Sequence, residues 1–166
     1  MDRPKPSPVL SVIGPVYNEE GGILEFHRRL SAALDLLDLP SEIIYVDDGS
    51  SDRTPEILRR LGRQDKRVKL LHLSRNFGHQ IAITAGLDHA CGEACVVMDT
   101  DGQDPPEVLG ELIASWRQGN EVVYAGRLRR EAEGLFKRLT AAIFYRLMRG
   151  ITQVRISREH SPGLLD

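Results

Sequence analysis

Asp99 and Asp101 stand one residue apart at the end of the apolar run Val96-Val97-Met98, with Gln103, Asp104 and two prolines behind them. Like charges that close repel unless something positive sits between them. Two carboxylates flanking one residue suit a hard divalent cation, Mg2+ or Mn2+, which usually combines one or two carboxylates with substrate phosphates. Gln103 could add a neutral oxygen. A cation so held would neutralise a diphosphate and stabilise it as a leaving group. The plain alternative is a solvated turn capped by aspartate. A second acidic cluster at the end of another apolar run, Asp47 to Asp52, weakens that alternative. Helix capping competes with ligand contact there, so one of Asp47 and Asp48 is expected to cap while the other faces the ligand. The third polar cluster is Pro15 to Glu20.

Other chemistries find less support. No GxxxxGK[ST] loop and no GxGxxG after the first strand occur, which argues against a P-loop nucleotidase and a dinucleotide site. No serine, histidine and aspartate set reads as a hydrolytic triad. His79, at a helix start, reads as a cap or a solvent-facing residue, and His72 as structural. Arg75 could reach an anion or form a surface ion pair. Gly78 suits a tight turn.

These clusters need elements to hold them. Residues 9–17 read as a strand ending near Pro15. A helix should follow over 18–37, capped by Asn18, with Glu19 and Glu20 in its first turn. Ile43 to Val46 make a second strand. Ser51 or Asp52 caps a helix with Pro55 in its first turn. "VKLLHL", "EACVVM" and "EVVYAG" read as the third, fourth and fifth strands. Between them run "GHQIAITAGLDHAC", with Ile81, Ala85 and Leu87 toward its buried side, and "EVLGELIASWRQG", opened by Pro105 and Pro106. Strands that are continuous apolar runs and alternate with helices predict an α/β fold with an open, mostly parallel sheet flanked by helices. In such a sheet ligands bind beyond the carboxyl ends of the strands, where all three polar clusters fall.

The chain has 166 residues, enough for one domain with a sizeable core, and a net charge of −2. That balance does not point to nucleic acid. Residues 1–126 are acidic, whereas 127–149 carry a local basic excess. In 134–149, Leu135, Leu139, Ile143 and Leu147 recur every four residues beside Lys137, Arg138, Arg146 and Arg149, the pattern of a basic amphipathic helix. Cys91 and Cys95 alone make no zinc or disulfide framework, which fits a reducing compartment. The start is too proline-rich for a signal peptide, and no run approaches a membrane span. The expected layout is a loose arm at 1–8, the α/β domain at 9–133, the amphipathic helix at 134–149 and an atypical tail at 150–166.

Taken together, "PVYNEE", "EIIYVDDGSSDRT", "LSRNFGHQIAITAGLDHA", "VVMDTDGQDPPE" and "YAGRLRRE...FKRLTAAIFYRL" resemble the family 2 glycosyltransferases over about residues 9 to 150, in particular the polyprenyl-phosphate branch that includes dolichol-phosphate mannose synthase. The resemblance implies a GT-A-like nucleotide-sugar-binding domain, a UDP- or GDP-sugar donor, Mg2+ or Mn2+, and inverting transfer of a hexose to a polyprenyl phosphate. It implies that Pro15, Tyr17 and Glu19 line the nucleoside pocket and that Asp47 or Asp48 contacts base or ribose. Asp99 and Asp101 would hold diphosphate and metal with Gln103 near the ion, and Arg127 would face the acceptor phosphate. Peripheral contact through 127–149 would place the chain at the cytoplasmic face of a membrane; a homo-oligomer is compatible with this. The branch continues with a G-D-F-R-L type stretch, where this chain reads "ITQVRISREHSPGLLD", so the chain reads as C-terminally shortened. A catalytically incomplete nucleotide-sugar-binding or regulatory paralogue, and a metal-dependent nucleotidyl transferase, are the rival readings.

Overall fold

The structure, a computed structural model, describes residues 8–123, all within a compact unit that ends at Ala125. Arg127, the expected amphipathic helix at 134–149 and the tail at 150–166 lie outside the described residues, as does nearly all of the arm.

Four strands form one parallel sheet in the order β3-β2-β1-β4: β1 Leu10–Val16, β2 Ser41–Asp47, β3 Val68–His72 and β4 Ala94–Val97. The connections are α1 Ile23–Leu37, α2 Thr54–Gln64 and α3 His79–Asp88; after β4 a 3-10 turn at Pro106–Val108 leads into α4 Leu109–Arg117. This is the predicted open sheet. The described beginning of the expected fifth strand, Glu121 to Val123, is not in a strand.

Central β1 is buried along its whole length, and β2 from its second residue on. Alternation sends their side chains to opposite faces. Leu10, Val12, Ile43 and Tyr45 meet Phe26, Leu30 and Leu34 of α1, Leu58 and Leu61 of α2, and Leu109 and Ile113 of α4. Ile13, Ile44 and Val46 meet α3 through Ala82. Burial of such side chains contributes roughly 1.5–3 kcal/mol each before chain entropy is counted.

The face of α3 differs from expectation. Ile81 is 51% and Leu87 43% exposed, while Ala82 and Gly86 are buried, with Ala85 packed beside them. The cause is close approach. A Cβ added to Gly86 would stand 2.3 Å from Ile13 Cγ2, so only a stripe of small residues lets the helix lie on β1. The start of α1 also differs. Asn18 does not cap it; the helix begins at Ile23 after Gly21 and Gly22, which disfavour helical backbone.

At the amino ends of the strands sits a paired acid. Glu42 is 4% exposed and accepts from Ser11 Oγ at 2.6 Å and from the Cys91 amide at 2.7 Å, while Lys69 Nζ lies 2.5 Å from its other oxygen. Burial pushes its carboxyl up, but Lys69 and the two donors outweigh this and hold it below the usual carboxylate range.

Candidate functional site

At the opposite, carboxyl ends, three loops are stitched together, the first two by residues more than 30 apart in sequence. Asn18, in the left-handed region at φ 53°, receives the Ser51 amide on its side chain at 2.8 Å and donates its own amide to Ser50 Oγ at 2.9 Å. The Glu19 amide donates to Thr54 Oγ1, and the Glu20 amide to Asp52 Oδ2. Asp52 is thus bonded on both sides, because its other oxygen accepts the Thr54 amide at the start of α2. Gly49, at φ 70°, presses on the backbone of Arg75 and Asn76; a Cβ there would meet Arg75 C at 2.4 Å. A side chain at Gly49 would force the loops after β2 and β3 apart.

The two adjacent aspartates divide the work. Asp47 is fully buried, accepts the Ser50 amide at 3.0 Å and pairs with His72 Nδ1 at 2.6 Å. Its carboxylate therefore ties the end of β2 to the end of β3 and does not line the cleft. Asp48 does line it, with its oxygens accepting the Phe77 and Gly78 amides at 2.7 and 2.9 Å. Those bonds fix the entry to α3, where Gly78 takes φ 99°.

Between the loops lies a cleft of about 260 Å³. Pro15, Tyr17, Glu19, Asp48, Asp99 and Asp101 border it, so six of the residues singled out in the sequence converge. Gln103 does not border it; it is exposed, and its amide donates to Asp101 Oδ1 at 2.9 Å. The Asp99 amide bonds Asp104 Oδ2, which closes the loop. Arg75 lies with its guanidinium 4.5 Å above the Phe77 ring. His79 is exposed at the first position of α3, as expected of a solvent-facing residue, but its place beside the acid pair was not foreseen: it borders the cleft with Nε2 3.5 Å from Asp99 Oδ1. The missed signal was its position just after Gly78, at the first turn of a helix that starts beyond a carboxyl strand end.

Glu19 reports the local field. Burial first, then Asp101 and Asp52, push its carboxyl above the usual value. Such a rim is costly while it faces only itself and favourable toward a cation. Among the described residues no three His, Cys, Asp or Glu side chains converge closely enough to enclose a metal ion unaided. Two carboxylates opening on a cleft fit instead the kind of site that a substrate's phosphates complete.

The described residues thus form a parallel α/β sheet with an acid pair at a carboxyl strand end and a cleft beside it. The chain belongs to glycosyl transferase family 2, whose sequence profile matches residues 11–163. It is 53% identical over 146 residues to YkcC, an uncharacterized glycosyltransferase of Bacillus subtilis strain 168, covering 88% of this chain and 45% of that one. It is 40% identical over 147 residues to a prophage bactoprenol glucosyl transferase homolog of Escherichia coli K12, covering 89% and 48%. The mannosyltransferase of Pyrobaculum calidifontis, solved with GDP-Man and Mn2+, superposes with a TM-score of 0.51 at 31% identity, over 59% of this chain and 29% of that one. The fold is therefore of the GT-A type. The chain spans less than half the length of the curated relatives it matches.

Proposed function

We propose that this chain carries the donor site of a glycosyltransferase that moves a hexose, with inversion, from a UDP- or GDP-sugar to a polyprenyl phosphate. The observation that carries the reading is the convergence of Tyr17, Glu19, Asp48, Asp99 and Asp101 on one cleft at the carboxyl strand ends. The relative named for bactoprenol and the structural neighbour holding GDP-Man and Mn2+ support the acceptor and donor classes. Tyr17, half exposed at the lip, offers a ring face to a base. Asp48, which borders the cleft, would accept from a nucleoside hydroxyl or ring N–H. Asp99 and Asp101 would hold Mg2+ or Mn2+, which when bound supplies charge neutralisation of the departing diphosphate.

A polyprenyl phosphate is already anionic at neutral pH. Its oxygen can attack the anomeric carbon directly, so the site needs no strong general base. It needs a basic place for the acceptor to dock. Arg127 and the basic excess in 127–149 are the candidates by sequence, giving peripheral contact at the cytoplasmic face of a membrane. Among the described residues no helix is long and apolar enough to cross a bilayer.

Calorimetric titration with UDP-glucose and GDP-mannose, with and without Mn2+, tests the donor site; Mn2+-dependent binding of one of them is expected. Release of UDP or GDP with formation of a glycolipid assigns transfer. Binding without glycolipid assigns donor binding alone, and release of pyrophosphate would replace the reading with nucleotidyl transfer.

A further inference from the structure

The acid pair has a middle residue, and metal chemistry asks nothing of it. Thr100 is nonetheless 3% exposed, and its Oγ1 donates to the carbonyl of Pro15 at 2.9 Å. The strands explain why. Pairing of β1 with β4 ends at Ile13 and Val97, and the Met98 amide adds one more bond to the Ile13 carbonyl at 3.0 Å. Two residues on, Pro15 faces the same side. It has no N–H to give, β4 has ended, and its buried carbonyl needs a donor. The threonine hydroxyl continues the ladder by one step.

The other branch of the same side chain is also held. A Cβ built on Gly14 would come within 3.1 Å of Thr100 Cγ2 and 3.0 Å of Tyr45 Cδ1. The methyl therefore occupies space that only a glycine leaves open. Thr100 itself touches the cleft, and with both branches of its side chain held against β1, the carboxylates on either side of it border the cleft too.

We infer that Thr100 is the positioning residue of the acid pair: its hydroxyl bond to Pro15 sets where Asp99 and Asp101 stand toward a divalent cation bound with a nucleotide diphosphate. This rests on the donor-site reading and adds the device that aims its two acids.

The test is nucleotide affinity of the 166-residue chain for UDP and GDP by calorimetry, each with and without Mn2+. Thr100→Val keeps shape and removes the hydroxyl; Thr100→Ser keeps the hydroxyl and removes the methyl. T100V should lose about tenfold of the Mn2+-dependent gain in affinity, the scale of one lost hydrogen bond, with metal-free affinity unchanged. T100S should keep most of that gain. The electron paramagnetic resonance spectrum of bound Mn2+ should change in T100V and return in T100S. If T100V does not fold by circular dichroism, Thr100→Ala is read against T100S in its place. A hydroxyl-free variant with the full wild-type gain overturns the inference, as does T100S binding as poorly as T100V. Wild type showing no Mn2+-dependent nucleotide binding overturns the donor-site reading and this inference with it.

Discussion

The two ends of one sheet treat negative charge in opposite ways. At the amino ends, Glu42 is almost wholly buried, yet Lys69, Ser11 and the Cys91 amide surround it and its carboxyl titrates low. At the carboxyl ends, Glu19 is pushed up by burial, Asp101 and Asp52, and among the described residues Asp99 has His79 at 3.5 Å. The acid that holds strands together has a lysine beside it, whereas Glu19, Asp99 and Asp101 border the cleft, with the Gln103 amide beside Asp101 and a histidine beside Asp99. On the proposed reading, charge kept for stability is matched by neighbouring side chains, and charge at the rim is matched by a cation that arrives with the ligand.

The largest effect should come from Asp101→Asn. It should weaken Mn2+-dependent nucleotide binding by about 100-fold or more, while the thermal midpoint stays level or rises because Glu19 loses a repulsive neighbour. A midpoint that falls by several degrees would erase the distinction between the two ends. Lys69→Met should do the reverse. It strands a buried carboxylate and should cost about 2 kcal/mol of stability, a figure reduced because Lys69 itself is half exposed. Denaturant unfolding measures that loss, and Mn2+-dependent nucleotide affinity should not move.

Acid titration sharpens the contrast. The Glu19 carboxyl is raised on folding, so its burden on stability is present at neutral pH and lifts as pH falls through its folded value. The Glu42 carboxyl is lowered, so its contribution is present above the unfolded value near 4.5 and is lost as pH falls through the folded one. Glu19→Gln should therefore raise the unfolding midpoint at pH 7 and Glu42→Gln should lower it, with both differences shrinking on acidification. The smallest effect lies away from both ends. His27, buried with Nδ1 3.1 Å from the Tyr45 hydroxyl, is held below the ordinary 6.5 chiefly by burial. Its unfolded form takes the proton first, so stability should decline below about pH 6.5, by at most about 1.4 kcal/mol per pH unit. Replacement by Gln should flatten that slope in pH-dependent unfolding curves.

Local signals carried most of the fold into view. Apolar runs of strand length marked β1 to β4, and prolines marked the starts of α2 and the 3-10 turn, because strand burial and proline geometry act within a few residues. What stayed hidden depends on distant partners. Asn18 followed by two glutamates has the look of a cap, but its side-chain oxygen accepts the amide of Ser51, 33 residues on. Asp47 and Asp48 are alike in sequence; only the placing of His72 and of the Phe77 and Gly78 amides separates a structural acid from one that borders the cleft. Ile81 and Leu87 carried the larger apolar side chains of α3, but a helix pressed against β1 buries its smallest residues. In the candidate site, Asp99 and Asp101 were singled out by type and spacing, and Tyr17 and Glu19 by the family resemblance; all four border the cleft. His79 and Thr100 were not foreseen there, since neither spacing nor residue type tells which way a loop side chain will turn.

The contact between Gly86 and Ile13 has a reach beyond packing. Helix α3 begins at His79 and carries Ala82 on the cleft side, about one turn before Gly86. Any side chain at Gly86 would have to lift the helix off β1, and its first turn would move with it. The width of the cleft is thus gauged by a hydrogen atom on a backbone carbon, one turn away from the nearest helix residue that borders it.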